Sequence, residues 1–228
     1  MNTLRFSHPV ISRLVATLLV AGLGGLSSIT ALAADDGGGA TDPAVAQLQA
    51  RWAEIRYELP EGQQAKALAE LGKEAERQLA QYPDSAELLI WTGIVRSSQA
   101  GAEGGLGALG LVKQARGYLE TALAQDPLAL NGSAYTSLGA LYYQVPGWPI
   151  GFGDDDKAEW HLQRALAIDP DGLDSLYFWG DYLHQQGRDA EARQALEKAL
   201  QAPPRPGREL ADAGRREEIH HLLSQLEK

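Results

Sequence analysis

The chain has 228 residues, a formal net charge of −10 and no cysteine. The absence of cysteine excludes disulfides, thiolate metal sites and a lipid attached through cysteine. An acidic chain has no electrostatic reason to approach nucleic acid or an anionic membrane, so neither is expected as a partner. The length is compatible with one main domain.

The first 33 residues have the pattern of a secretory signal peptide. Arg5 and Arg13 precede an apolar stretch over residues 14–29, and the small residues Ala31 and Ala33 follow it. A basic start, a short apolar run and a small-residue exit are typical of a cleaved leader. Glycines and serines dilute the stretch, which disfavours the alternative of a retained membrane anchor. We therefore expect residues 1–33 to be removed and a soluble periplasmic protein, not a lipoprotein, to remain.

The region after the leader begins with a linker and a first pair of helices. Residues 34–43 are Gly-rich and acidic, which predicts a flexible linker. Val45, Leu48 and Trp52 then begin an apolar stripe at steps of three and four, and a second stripe covers residues 63–81. These two helices lack the small-residue spacing found later in the chain. We interpret them as a degenerate N-terminal repeat or a capping hairpin.

A spacing of small and apolar residues recurs three times in the rest of the chain. Its members are Gly93, Ala115, Leu119, Ala122 and Pro127; Gly139, Ala158, Leu162, Ala165 and Pro170; and Gly180, Ala192, Leu196, Ala199 and Pro204. The small residues are expected where the two helices of a hairpin cross, and the others fill contacts with neighbouring hairpins. The pattern predicts an all-α fold with repeats at about 85–127, 131–170 and 173–204 and a capping helix at 208–227.

The repeated spacing carries a family resemblance. Pro170 and Pro204 are about 34 residues apart with two helices between them, which resembles tetratricopeptide (TPR) repeats. Residues 44–228 thus resemble TPR-type solenoids of the bacterial periplasm, and more loosely the TPR component associated with tripartite ATP-independent periplasmic (TRAP) transporters. The resemblance implies a non-enzymatic adaptor that holds a protein partner in a groove and at its edge. The alternative is a binder of a small apolar or lipid-like ligand that serves a transporter.

Two of the three hairpins carry about ten and seven extra residues between their helices. The first insertion lies in the Gly-rich segment 100–107, and the second, within 145–153, contains Trp148 and Phe152. Insertions at the same position of successive repeats converge on one edge, which is often the binding face of such proteins. The Gly-rich segment could equally extend the helices over the core, and this alternative stays open.

Projection of the predicted helices places four further candidates on the inner groove. The predicted binding site comprises these four residues and the two aromatic residues of the second insertion: Tyr143, Trp148, Phe152, Tyr177, Asp181 and His184. Aromatic side chains supply the large apolar area that anchors an interface. The groove could be open or filled by the protein's own loop or terminal helix.

Sequence motifs of enzymes and cofactor sites occur here only without the secondary structure or the residue spacing that such sites require. Residues 105–110 match G-x-G-x-x-G, but no predicted strand precedes them. The acids at 154–156 lack the spacing of a calcium loop, and the histidines lack a zinc-binding arrangement. We therefore expect no catalytic residues, no metal and no cofactor.

Overall fold

The computed structural model describes residues 42–227, so the predicted leader and nearly all of the predicted linker lie outside the described residues. Within this range the protein is all-α, as predicted, and its only β-type contact is an isolated bridge between Gly147 and Gly153. The helices are α1 (Pro43–Tyr57), α2 (Glu61–Gln81), α3 (Ala86–Glu103), α4 (Gly105–Gln125), α5 (Ala129–Gln144), α6 (Asp155–Ile168), α7 (Leu173–Gln185), α8 (Asp189–Ala199) and α9 (Glu209–Gln225). No helix in the described range is long and apolar enough to cross a membrane.

Short polar side chains mark several helix starts. The carboxylate of Asp42 accepts a hydrogen bond from the backbone N–H of Ala44, so α1 begins at Pro43, the last residue of the predicted linker. Ser85 and Asp154 cap α3 and α6 in the same way. Such caps satisfy N–H groups that have no partner within the helix.

Three hairpins repeat one close crossing. The glycines of α3, α5 and α7 face a leucine and an alanine of the following helix. A Cβ atom on Gly180 would lie 2.7 Å from Cγ of Leu196 and 3.3 Å from the carbonyl oxygen of Ala192. The equivalent Cβ–Cγ distances are 2.8 Å at Gly93 and 2.6 Å at Gly139. The recurring glycines therefore lie where the helices approach most closely, which is the role that their spacing predicts.

The odd-numbered helices form a row on one side of the fold. Helices α1, α3, α5 and α7 are neighbours in that order, and α9 contacts both α1 and α7. Because α9 touches the first and last helices, the row curves around it. We call the face of the row that is turned toward α9 the inner groove.

The Gly-rich insertion is helical rather than a loop. Only Gly104, with a φ of 63°, separates α3 from α4. The left-handed conformation at this position suits glycine, which has no Cβ to clash with the backbone. Ala100 and Ala108 on either side are buried in the core. Of the two alternatives for this segment, the structure therefore has the helix extension over the core. The expected edge of two inserted loops contains only one inserted loop, the second.

Candidate binding site

The second insertion forms a hydrogen-bonded loop between α5 and α6, residues 145–154, which we call the Trp148 loop. The N–H of Gly153 donates to the carbonyl of Pro146 at 3.0 Å, and the N–H of Asp154 donates to the carbonyl of Tyr142 at 2.9 Å. At the tip, the N–H groups of Ile150 and Gly151 both donate to the carbonyl of Gly147 at 3.1 Å. The backbone of the loop is therefore fixed by its own hydrogen bonds.

Two glycines allow this tight backbone. A Cβ on Gly153 would overlap the carbonyl oxygen of Val145, and a Cβ on Gly151 would overlap that of Pro146. Val145 itself is buried in the core. The sequence V-P-G-W-P-I-G-F-G thus adopts this loop because glycines lie where the backbone passes close to itself.

The loop separates its two aromatic residues. Trp148 is 90% exposed and Ile150 is 59% exposed at the tip. Phe152 instead packs at the base, edge-on to Tyr142 with ring centres 5.6 Å apart and with the guanidinium of Arg116 4.4 Å from its ring centre. Phe152 thus helps to anchor the loop on α4 and α5, while Trp148 and Ile150 point to solvent from a fixed base.

Two of the predicted groove residues bond to each other. The hydroxyl of Tyr143 in α5 donates to Oδ2 of Asp181 in α7 at 2.7 Å, and Nε2 of Gln185 approaches the same oxygen at 3.3 Å. Burial raises the pKa of the Asp181 carboxyl, and the hydrogen bonds from Tyr143 and Gln185 oppose that rise. The pKa of the Tyr143 hydroxyl is raised as well, by burial and by the Asp181 charge.

The other two predicted groove residues point elsewhere. Nδ1 of His184, near the end of α7, lies 2.7 Å from Oδ1 of Asp189, the first residue of α8. Tyr177 faces α9, where the guanidinium of Arg215 lies 4.2 Å from its ring centre. Among the six predicted residues, Tyr143 and Asp181 are the pair that the described part of the chain joins by a hydrogen bond.

Helix α9 occupies the inner groove through a buried arginine. Arg215 is 8% exposed, and its Nε donates to Oδ1 of Asp174 at 2.8 Å. Its guanidinium also lies 4.8 Å from the ring centre of Phe178 and is paired with Glu218. Burial alone would raise the pKa of Asp174, but the charges of Arg215 and Arg205 outweigh it and hold that pKa well below its ordinary value.

The opposite side of α9 rests on α1. Gly214 lies so close to the ring of Tyr57 that a Cβ on the glycine would overlap it. Arg56 of α1 pairs with Glu218 of α9 at 2.9 Å. Burial raises the pKa of Tyr57 to about 12, although the Arg215 charge lowers it. Of the two alternatives for the groove, the structure therefore has it filled by the protein's own terminal helix.

Two surface cavities lie away from the predicted site. One of about 730 Å³ runs between α1 and α2 and includes Leu48, Leu59 and Leu71 in its lining. Another of about 330 Å³ adjoins Trp160 on α6. Neither is lined by any of the six predicted residues.

An aromatic cluster on α5 and α6 escaped the sequence analysis. The ring of His161 stacks on Tyr142 with centres 5.4 Å apart and meets Trp160 edge-on at 4.8 Å. Burial, with a smaller effect of the Lys157 charge, lowers the pKa of His161 to about 4, so the ring is neutral at physiological pH. The adjacent aromatic residues Trp160 and His161, on the helix that pairs with the helix of Tyr142, could have indicated this cluster. No sequence signal pointed to the role of Arg215, because this residue lies in a helix that is mostly polar.

No known family model matches the chain, and no curated protein is significantly similar to it.

Proposed function

We propose that the chain is an exported, periplasmic helical-repeat protein of the TPR type that holds a protein partner through the Trp148 loop. In this proposal it is an adaptor rather than an enzyme, and it uses no metal or cofactor. The observation that carries the proposal is the 90% exposure of Trp148 on a loop whose backbone is fixed.

The repeated crossings support the TPR assignment. In each of three successive hairpins a glycine of the first helix packs against an alanine and a leucine of the second, as at Gly139, Ala158 and Leu162. Helical-hairpin repeats bring small residues together at such positions so that the two backbones can approach. Repeat proteins of this class act mainly as binding scaffolds, which is the basis for proposing an adaptor.

The exposed tip supports a protein partner at the loop. Exposed tryptophan is unfavourable in water unless a partner covers it, and tryptophan is enriched among residues that dominate interface energies. A fixed loop loses little conformational freedom when it binds, so more of the contact energy contributes to affinity. Trp148, Pro149 and Ile150 would form the apolar centre of such an interface, and the exposed Asp155 and Asp156 follow it in α6.

The filled groove moves the proposed interface from the groove to the loop. Arg215 and the rest of α9 cover Tyr177 and Asp174, so a partner that used this part of the groove would have to displace α9. Neither Tyr143 nor Trp148 lines one of the cavities described above, which favours a protein partner over a small ligand enclosed in them.

A photo-crosslinking experiment tests this function. A photo-reactive amino acid replaces Ile150 in one variant and Tyr82, which is 56% exposed in the α2–α3 turn, in a matched control. Each mature protein is exposed to periplasmic and membrane extracts, irradiated and examined by mass spectrometry. We expect one protein to be crosslinked from position 150 and not from position 82. Equal crosslinking from both positions, or none from either, would contradict the proposal.

A further inference from the structure

One face of α7 presents two acidic residues that share an aromatic neighbour. Asp174 and Asp181 are seven residues apart, which places them on the same side of the helix, and Tyr177 lies between them. Both residues are only partly exposed. The two acids nevertheless differ in what they bind.

The first acid holds two arginines. Asp174 accepts hydrogen bonds from Nε of Arg215 at 2.8 Å and from Nη1 of Arg205 at 2.7 Å. Tyr177 and Phe178 pack against the Arg215 guanidinium. Arginine suits such a position because its planar, weakly hydrated group can bind a carboxylate and stack on an aromatic ring at once.

The second acid has no cation. The partners of Asp181 are the Tyr143 hydroxyl and the Gln185 amide, and within residues 42–227 no nitrogen of lysine, arginine or histidine lies within 4 Å of its carboxylate. The guanidinium of Arg215 pairs with Asp174 and Glu218 instead. A partly buried carboxylate whose donors are all neutral gains a stronger, charge-assisted hydrogen bond when a cation approaches it.

We propose that Asp181 binds the guanidinium of an arginine that the protein partner supplies. This inference rests on the proposed function, because it assigns one chemical feature to the same partner. The Tyr143 hydroxyl would stay bonded to Oδ2 and hold the carboxylate in place for the guanidinium. Asp181 is only partly buried and Gln185, one turn further, is exposed, so a side chain can enter from the end of α7.

Binding of a defined probe tests the inference directly. The mature protein, labelled with ¹⁵N, is titrated with N-acetyl-arginine amide and with N-acetyl-citrulline amide, which has the same shape without the charge. We expect the arginine compound to shift the backbone amide signals of Asp181 and Gln185, and the citrulline compound to leave them unchanged. Asp181→Asn should weaken arginine binding at least fivefold, because a charge-assisted bond becomes a neutral one. Asp84→Asn, an exposed acid in the α2–α3 turn, should leave it unchanged.

Several outcomes would overturn the inference. Equal shifts by both compounds, no shift by either, or equal affinity of the wild-type chain and Asp181→Asn would each exclude arginine recognition at this acid. The comparison of the two compounds uses only the wild-type chain, so it does not depend on the folding of a variant. If the arginine compound fails while position 150 still crosslinks to one protein, the proposed function stands and this inference falls.

Discussion

The guanidinium of Arg215 lies 4.2 Å from the centre of the Tyr177 ring, and this contact ties helix α9 to helix α7. On its other side α9 packs against Tyr57 of α1. The terminal helix thus joins the two ends of the row of odd-numbered helices. Its removal would expose both ends and the charged groups between them.

Replacement of Arg215 by alanine should destabilise the protein by about 2 kcal/mol, because it removes a buried guanidinium that packs on Tyr177 and Phe178 and leaves two partly buried carboxylates with one arginine each instead of two. The affected groups are Asp174 and Glu218. Urea unfolding of the two proteins measures the difference. Arg51→Ala, which removes an exposed pair with Glu54, is the control and should change stability by less than about 1 kcal/mol. Equal effects of the two substitutions would mean that Arg215 does not hold α9.

Stability should fall in mild acid through Asp174. Its pKa is lower in the folded protein than in the unfolded chain, so the unfolded chain takes up the proton first as the pH falls. The stabilisation is fully present above the unfolded pKa, near pH 4, and decreases below it. Between pH 6 and pH 3 the contribution lost should be about 1 kcal/mol.

The test of this pH dependence compares the wild-type chain with Asp174→Asn by urea unfolding at both pH values. The variant is expected to be less stable at pH 6 and to lose less stability on acidification, since position 174 no longer titrates. An identical pH dependence of the two proteins would show that Asp174 is not the responsible group.

Two glycine-to-alanine substitutions should act in opposite directions. Gly180→Ala places a methyl group 2.7 Å from Cγ of Leu196 and should destabilise the protein by roughly 1–3 kcal/mol. Gly117→Ala, on the open face of α4 with no atom within 4 Å, should stabilise it by roughly 0.5–1 kcal/mol. Thermal unfolding followed by circular dichroism measures both. A stability gain from both substitutions would show that Gly180 does not lie at a close helix crossing.

The mature protein should begin at Ala34. The warrant is the pair Ala31 and Ala33 before a change to acidic and Gly-rich sequence. N-terminal sequencing of the exported protein, expressed with its own N-terminus, checks this expectation. Recovery of a chain that still begins with Met1 would contradict both the cleavage and the soluble state that we propose.

The helical hairpins could be predicted because local spacing determines them. Glycine and leucine positions such as Gly93 and Leu119 repeat at fixed steps, and their contact requires only that two adjacent helices cross. The Trp148 loop was also recognisable, since an aromatic residue between proline and glycine stands out in a helical sequence. Projection of successive helices placed Tyr143 and Asp181 on one face, and the structure adds the hydrogen bond between them.

The remaining features depend on contacts between distant parts of the chain. The docking of α9 brings Arg215 to Tyr57 across more than 150 residues, and no local pattern encodes it. The separation of Trp148 from Phe152 depends on the path of the loop backbone, which places one ring outward and the other against Arg116. The one-residue break at Gly104 between two long helices could not be distinguished from a longer loop, because a Gly-rich sequence permits both.

The affinity of the Trp148→Ala variant for the crosslinked partner tests the proposed function most directly. Isothermal titration with that partner compares the wild-type chain, Trp148→Ala and the control Tyr82→Ala, while circular dichroism checks that helix content is unchanged. Loss of the exposed anchor should weaken binding by about 1 kcal/mol or more, which is at least about fivefold in Kd, and Tyr82→Ala should bind like the wild-type chain. Unchanged affinity of Trp148→Ala in a fully folded protein would contradict the assignment of the Trp148 loop as the binding site.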